Sequence, residues 1–181
     1  MHRGFVLATT MVAVLGGLVR SQTSLPCYEA TFGTLLGSAD DVVFPAITLN
    51  APFPLFGTLW LQAEVSSNGF VWLGALNNPD SGCCAGTGAG LVAGAVRVCA
   101  MWNDLVTDGT NGSGVYHASL PGREVITWAN AFESYDPTVR FTVQLQLASS
   151  GVFTVWYHPN TTVNQMPHTG LCGVSPGGVA D

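Results

Sequence analysis

Between Arg140 and Leu147 apolar and polar residues alternate without a fault. Phe141, Val143, Leu145 and Leu147 share one face, and Arg140, Thr142, Gln144 and Gln146 share the other. A period of two is that of a half-buried β-strand, because successive side chains leave opposite faces of the extended backbone. Ser149-Ser150-Gly151 supplies turn residues and Val152 to His158 reads as the returning strand, so this region predicts a hairpin. A second hairpin is predicted around Ser67-Asn68-Gly69, between Thr58 to Val65 and Phe70 to Leu73, with Asn-Gly tolerating positive φ at both central turn positions. Further strands are expected at Val42 to Leu49, Ala95 to Trp102, Gly114 to Ala118, Glu124 to Ala129 and Leu171 to Val174. Pro45, Pro52 and Pro54 mark the first of these as an edge strand that gives way to a loop. Helix is confined to a turn or two near Gly90 to Gly94, where glycine is too frequent for more. Asn77 to Gly90 reads as a long loop of small residues. Short strands separated by turn signals predict an all-β fold, a mostly antiparallel two-sheet sandwich of jelly-roll-like kind.

The N-terminus follows a different pattern. Met1-His2-Arg3 is followed by an uncharged run from Gly4 to Val19, and then by the polar stretch Arg20-Ser21-Gln22-Thr23-Ser24. This is the three-part layout of a secretory signal, with cleavage expected after Ser21. A retained anchor is the alternative, but the run is shorter than the roughly 20 residues a spanning helix needs, and Thr9, Thr10, Gly16 and Gly17 interrupt it. The expected organisation is a signal helix over residues 1–21 and one domain over 22–181.

Export changes the charge. Without Arg3 and Arg20, three arginines and no lysine face eleven carboxylates, a net charge of 3 − 11 = −8. Such a surface repels phosphate backbones and anionic headgroups, which argues against nucleic acid and against membrane insertion or surface binding after the signal is removed. It also places Cys27, Cys83, Cys84, Cys99 and Cys172 in an oxidising compartment, where one pair and more naturally two should be bridged. The connectivity stays open. Cys83 and Cys84 would pair more easily with other partners than with each other.

Several groups are candidates for chemistry. Asp104, Asp108 and Asn111, within Asn103-Asp104 and Asp108-Gly109-Thr110-Asn111-Gly112-Ser113, form an oxygen-rich stretch that could wrap calcium. Their spacing is not that of a calcium loop closed by a glutamate, so a strand-end turn is the simpler reading, and no cofactor is required. Glu64, Asp104, Glu124, Glu133 and Asp136 could supply the two carboxylates of a glycoside hydrolase. Glu64 and Glu124, however, are placed most simply on outward strand faces or at strand ends. His117, His158 and His168 lack the close pairing of zinc ligands. Gly173-Val174-Ser175-Pro176-Gly177 resembles a nucleophile elbow only in letters, since the proline removes an N–H that an oxyanion hole would use. Trp60, Trp72, Trp102 and Trp128 are expected between the sheets. Alternation puts Trp156 outside if Phe153 and Val155 face in, which makes it the candidate binding residue. Asn111-Gly-Ser and Asn160-Thr-Thr match the N-glycosylation triplet.

Five stretches in order carry a family resemblance. They are Val65-Ser66-Ser67-Asn68-Gly69-Phe70-Val71-Trp72-Leu73-Gly74, Val96 to Leu105 with its Trp102-Asn103-Asp104, Val125-Ile126-Thr127-Trp128, Phe141 to Leu145 followed by Gly151, and Gly173-Val174-Ser175-Pro176-Gly177-Gly178. Together they resemble secreted bacterial β-sandwich proteins related to the extracellular nidogen-type (NIDO-like) module. The resemblance implies an extracellular or cell-surface location and an adhesive or structural role, with no catalytic centre to carry over. The first acid of the family's Trp-Asp-Asp pattern is Asn103 here. The expected function is a secreted structural or adhesive recognition module without catalytic activity, meeting a protein or glycan at the cell exterior. A carbohydrate-binding module using Trp156 is the alternative, and a hydrolase with paired carboxylates a more distant one.

Overall fold

The computed structural model describes residues 27–78, 86–158 and 168–178. The signal segment, Cys83, Cys84 and Asn160 lie outside the described residues. The strands in chain order are β1 (Thr34–Gly37), β2 (Ile47–Leu55), β3 (Thr58–Val65), β4 (Phe70–Leu73), β5 (Arg97–Trp102), β6 (Leu105–Val106), β7 (Gly114–Leu120), β8 (Arg123–Glu133), β9 (Asp136–Ala148), β10 (Phe153–Tyr157) and β11 (Leu171–Ser175). One five-residue helix, α1 (Gly88–Val92), starts at Thr87, whose hydroxyl accepts from Gly90 N–H at 3.0 Å.

Two antiparallel sheets face each other. The larger has the order β1-β7-β8-β9-β10, with β6 pairing the far end of β8, and the smaller has the order β11-β5-β4-β3-β2. The chain is an all-β sandwich, as the alternation predicts. The likeness to a jelly roll lies in the two facing sheets and not in the connectivity. Strands β2 to β5 and β7 to β10 are two meanders, and the terminal strands are exchanged, β1 joining the second meander and β11 the first.

Register explains which residues are dry. Val115, Trp128, Val143 and Tyr157 form one row across the larger sheet. Val65, Val71, Val98 and Val174 form one across the smaller. These rows belong to a single core that fills the space between the sheets, and Phe141, Leu145 and Leu147 lie in it as the alternation requires. A one-residue slip in either sheet would turn a whole apolar row to the far face.

Three local expectations are corrected. β2 runs on through Pro52 and Pro54 to Leu55. It is the edge of its sheet, where a missing N–H costs no ladder bond, and its pairing with β3 is irregular between Thr48 and Phe53. The β3–β4 connection is a three-residue loop, with Ser66 N–H donating to Phe70 O at 3.0 Å and only Gly69 at positive φ. Only glycine fits at residue 69, because a Cβ there would stand 2.1 Å from Met101 O. Short β1 and β6 were not foreseen, since neither is long enough to display a period.

Candidate functional site

Chain segments far apart in sequence converge at one end of the sandwich. Asn68, in the β3–β4 loop, accepts from Leu105 N–H at 2.8 Å through Oδ1 and donates from Nδ2 to Asp41 Oδ1 at 2.9 Å. Asp104 follows β5, and its carboxylate accepts from Ser134 Oγ at 2.6 Å. On the neighbouring residue, the buried Glu133 carboxylate accepts from the His168 N–H at 3.1 Å and meets His168 Nδ1. Tyr135 packs against the His168 ring. Asp40, Asp41 and Asp104 each bring a carboxylate oxygen within 4.8 Å of the other two. Asp104 was singled out in the sequence. Asp40 and Asp41 were not, because nothing local links the β1–β2 connection to the end of β5.

Asp108 and Asn111 do not join this group. Arg140 Nη2 donates to Asp108 Oδ2 at 2.6 Å, and Thr110 N–H donates to Oδ1 at 3.0 Å. The Arg140 guanidinium, helped by Thr110, holds the Asp108 carboxyl far below the usual carboxylate range. Asn111 sits at φ 50° in a short 3-10 turn, and its carbonyl accepts from Asn130 Nδ2 at 3.3 Å. The stretch is therefore a set of side chain to backbone turns, and the three carboxylates nearby bring one ligand atom each to a common point, where calcium takes six to eight. The melting midpoint is accordingly expected to be the same in millimolar calcium and in chelator. A midpoint that climbs with calcium concentration would establish a bound ion.

The remaining carboxylates are also committed, and Glu124 turns inward against expectation. Glu64 is only 4 % exposed and accepts from the N–H groups of Asn77 (2.8 Å) and Asn78 (3.0 Å) and from Asn78 Nδ2 (2.8 Å). Glu124 is fully buried and faces the gap between the sheets, where it accepts from Ala51 N–H at 2.6 Å and Ser119 Oγ at 2.5 Å and meets His117 Nε2 at 2.8 Å. Glu64 lies on the outward face of the smaller sheet beside Trp72, where Asn77 and Asn78 cover it, whereas strand parity turns Glu124 inward to the N–H groups of β2. Asp136 accepts from Thr138 within its own turn. A cleft of about 410 Å³ between Phe44, Pro45, Ala46 and Asn78 has one carboxylate among its lining residues, that of Glu64, which already accepts three hydrogen bonds.

The family motifs fall where the fold needs them: the Ser-Ser-Asn-Gly loop joins β3 to β4, Trp102-Asn103-Asp104 ends β5, and Ile126-Thr127-Trp128 lies in the centre of β8. The family described as NIDO related matches residues 21–177. The chain belongs to the NIDO-related family. No curated protein and no solved structure matches it. Membership makes it a module of extracellular type, and no helix among the described residues is long and apolar enough to cross a membrane.

In this NIDO-related module only some tryptophans lie between the sheets. Trp128 does, and it donates to Ser66 O at 2.8 Å. Trp72 and Trp102 instead lie with Phe70 and Cys99 on the far face of the smaller sheet. Gly69 O accepts from both Ala100 and Met101 N–H, a bulge that turns Met101 inward and Trp102 outward. Buried Arg97 stacks within this group, its guanidinium carbon 3.9 Å from the Trp72 ring centroid and 4.6 Å from that of Trp102, and it donates to Ala93 O. Nothing in the sequence pattern marked Arg97, which reads as an ordinary charged residue at a strand start.

The expected bridges are not present among the described residues, where Cys27, Cys99 and Cys172 are thiols. Cys99 and Cys172 are on neighbouring strands but face apart. Gly173 is the residue opposite Cys99, and Cys172 contacts the Tyr157 hydroxyl instead. Burial pushes the Cys99 thiol up to about 12, with Arg97 opposing and Cys172 adding to the rise, so it is a weak nucleophile.

Trp156 does lie on the outward face of the larger sheet, paired with Gln144. That face is not open. Gln144 and Gln146 are 0 % and 2 % exposed, because the segment Cys27 to Phe32 crosses over them.

Proposed function

We propose that this chain is an exported or cell-surface recognition module that acts by contact and not by catalysis, with its signal removed after Ser21. The observation that supports this reading is the state of the acidic side chains. Asp104, Asp108, Glu64, Glu124, Glu133 and Asp136 all accept hydrogen bonds from main-chain N–H groups, hydroxyls, histidines or Arg140. Carboxylates used in this way hold loops and sheets together, and the cleft that Glu64 lines has no second carboxylate among its described lining residues for acid–base hydrolysis. The partner is a protein or glycan at the cell exterior, and neither nucleic acid nor the lipid surface suits a chain with this excess of acids.

A panel of chromogenic glycosides and esters tests the reading. The purified mature chain is expected to turn over none of them. Turnover that disappears in Glu124→Gln or Asp104→Asn while the melting curve is kept would overturn it. Mass spectrometry of the exported protein is expected to begin at Gln22.

A further inference from the structure

The outward face of the larger sheet buries polar side chains. Tyr116, Thr127, Gln144 and Trp156 form one row across β7 to β10, and Ala118, Val125, Gln146 and Thr154 form the next. Thr127, Gln144 and Gln146 are shut off from solvent although they point away from the core. A strap of chain, Cys27 to Phe32, covers them without becoming a strand. Its main chain is gripped by two side-chain amides. Glu29 N–H donates to Gln144 Oε1 at 2.9 Å, Gln144 Nε2 donates to Glu29 O at 3.0 Å, and Gln146 Nε2 donates to Cys27 O at 2.7 Å. The amides are themselves held in orientation, by Gln146 Nε2 to Gln144 Oε1 at 2.8 Å and Gln144 Nε2 to Thr127 Oγ1 at 2.9 Å.

Two features set this apart from ordinary packing. A glutamine amide presents one donor and one acceptor edge, so the Gln144 pair imitates a strand neighbour and reads the main chain of whatever lies on it, whatever its sequence. Second, the strap leaves the face unsaturated. Trp156 Nε1, Arg123 Nε and Gln146 Oε1 are buried, and no partner reaches them among the described residues. Buried polar atoms are rarely left unmet, and an occupant bringing acceptors to the two donors and a donor to the amide oxygen would fit this face better than the strap does. The strap's own side chains hold it at its margins: Tyr28 on His158, Phe32 on Tyr116, and Glu29 3.4 Å from Arg123. It joins β1 at Gly33, whose φ of +88° makes a sharp corner between strap and strand.

We infer that this face is a groove for an extended polypeptide segment of a partner protein, and that the Cys27 to Phe32 strap is its resident, displaceable occupant. The inference rests on the recognition-module reading and names the site and partner class for it. A cis occupant lowers the apparent affinity for any segment in trans by the fraction of time the groove is vacated. Loosening the strap therefore strengthens trans binding.

The test uses the full mature chain and a fluorescein-labelled synthetic peptide of residues 27–33 carrying Cys27→Ser. A Tyr28→Ala/Glu29→Ala chain, in which the strap has lost two margin contacts and the groove is intact, is expected to bind this peptide at least about tenfold tighter than the wild type by anisotropy. Adding Gln144→Ala should remove most of that gain. As a second readout on the unaltered chain, excess peptide should speed hydrogen exchange at the Glu29 amide and leave the β8–β9 amides protected. A loosened chain that melts cooperatively yet binds no peptide would overturn the proposal, as would a glycan from an oligosaccharide array binding there in the peptide's place. Failure here removes only the groove. A chain without hydrolytic turnover would still be read as a contact module.

Discussion

Trp128→Ala is expected to cost about 4 kcal/mol or more of folding stability, the largest single loss at any core position of this chain. Trp128 is fully buried at the centre of the Val115–Trp128–Val143–Tyr157 row. Its indole N–H crosses to the other sheet and donates to Ser66 O at 2.8 Å. Removing a tryptophan from a core costs about 3–5 kcal/mol through lost transfer energy and the cavity left behind. Losing the bond from the indole N–H to the buried Ser66 carbonyl adds on the order of 1 kcal/mol. A domain of this size has about 5–15 kcal/mol in hand, so the variant should be close to unfolded at moderate temperature. Trp128→Phe separates the two contributions. It keeps most of the ring and loses the N–H, and about 1–2 kcal/mol is expected. Guanidinium unfolding followed by near-ultraviolet circular dichroism measures both. A loss under about 1 kcal/mol for Trp128→Ala would mean that the sheets do not pack on this residue.

The second large effect is expected at Glu124, where the two sheets are joined by a charge. Its carboxylate lies on β8 of the larger sheet and accepts from Ala51 N–H on β2 of the smaller, with His117 and Ser119 beside it. Glu124→Ala leaves the Ala51 N–H and the His117 ring edge without their acceptor. The expected cost is about 3 kcal/mol, the scale for leaving buried donors without their charged acceptor. Burial by itself would raise the Glu124 pKa. The bonds from His117, Ser119 and the Ala51 N–H outweigh it and hold the pKa below its ordinary value. A carboxyl whose pKa is lower folded than unfolded binds its proton more readily in the unfolded chain. Its contribution is therefore fully present above the unfolded value of about 4.3 and is lost as the pH falls through the folded one. Wild type minus Glu124→Gln, taken from urea midpoints, should be largest near neutrality and should shrink below about pH 4. A difference that stays constant down to about pH 3 would mean that folding leaves the pKa of this carboxyl unchanged, and one that grows as the pH falls would mean that it is protonated in the folded chain.

The strand pattern was legible wherever it was long enough to repeat. The alternation of Phe141, Val143, Leu145 and Leu147 located β9, its inward face and its return along β10, and Asn68-Gly69 located the turn between β3 and β4. What the pattern could not say is what lies over the polar side of a strand. Glu64, Glu124, Gln144 and Gln146 all read as solvent-facing, and all are buried. In each case the cover comes from remote chain: Asn77 and Asn78, the β2 edge, and the Cys27 to Phe32 strap. The Asp40, Asp41 and Asp104 grouping was hidden for the same reason, and Arg97 looked like any surface charge until three aromatic rings from β4 and β5 closed around it.

Taken alone, the sequence determined that the chain is extended and antiparallel, which residues of β9 and β10 share a side, and to which family it belongs. These follow from the two-residue period of the strand and from turn chemistry, both of which act between near neighbours. The tertiary structure decided which polar sides are dry, which acids serve as ties between sheets, and that Gln144 and Gln146, beside Trp156, lie beneath a strap. Those outcomes depend on where distant segments come to rest, and burying an amide or a carboxylate is tolerated only when that distant segment arrives with hydrogen bonds to meet it.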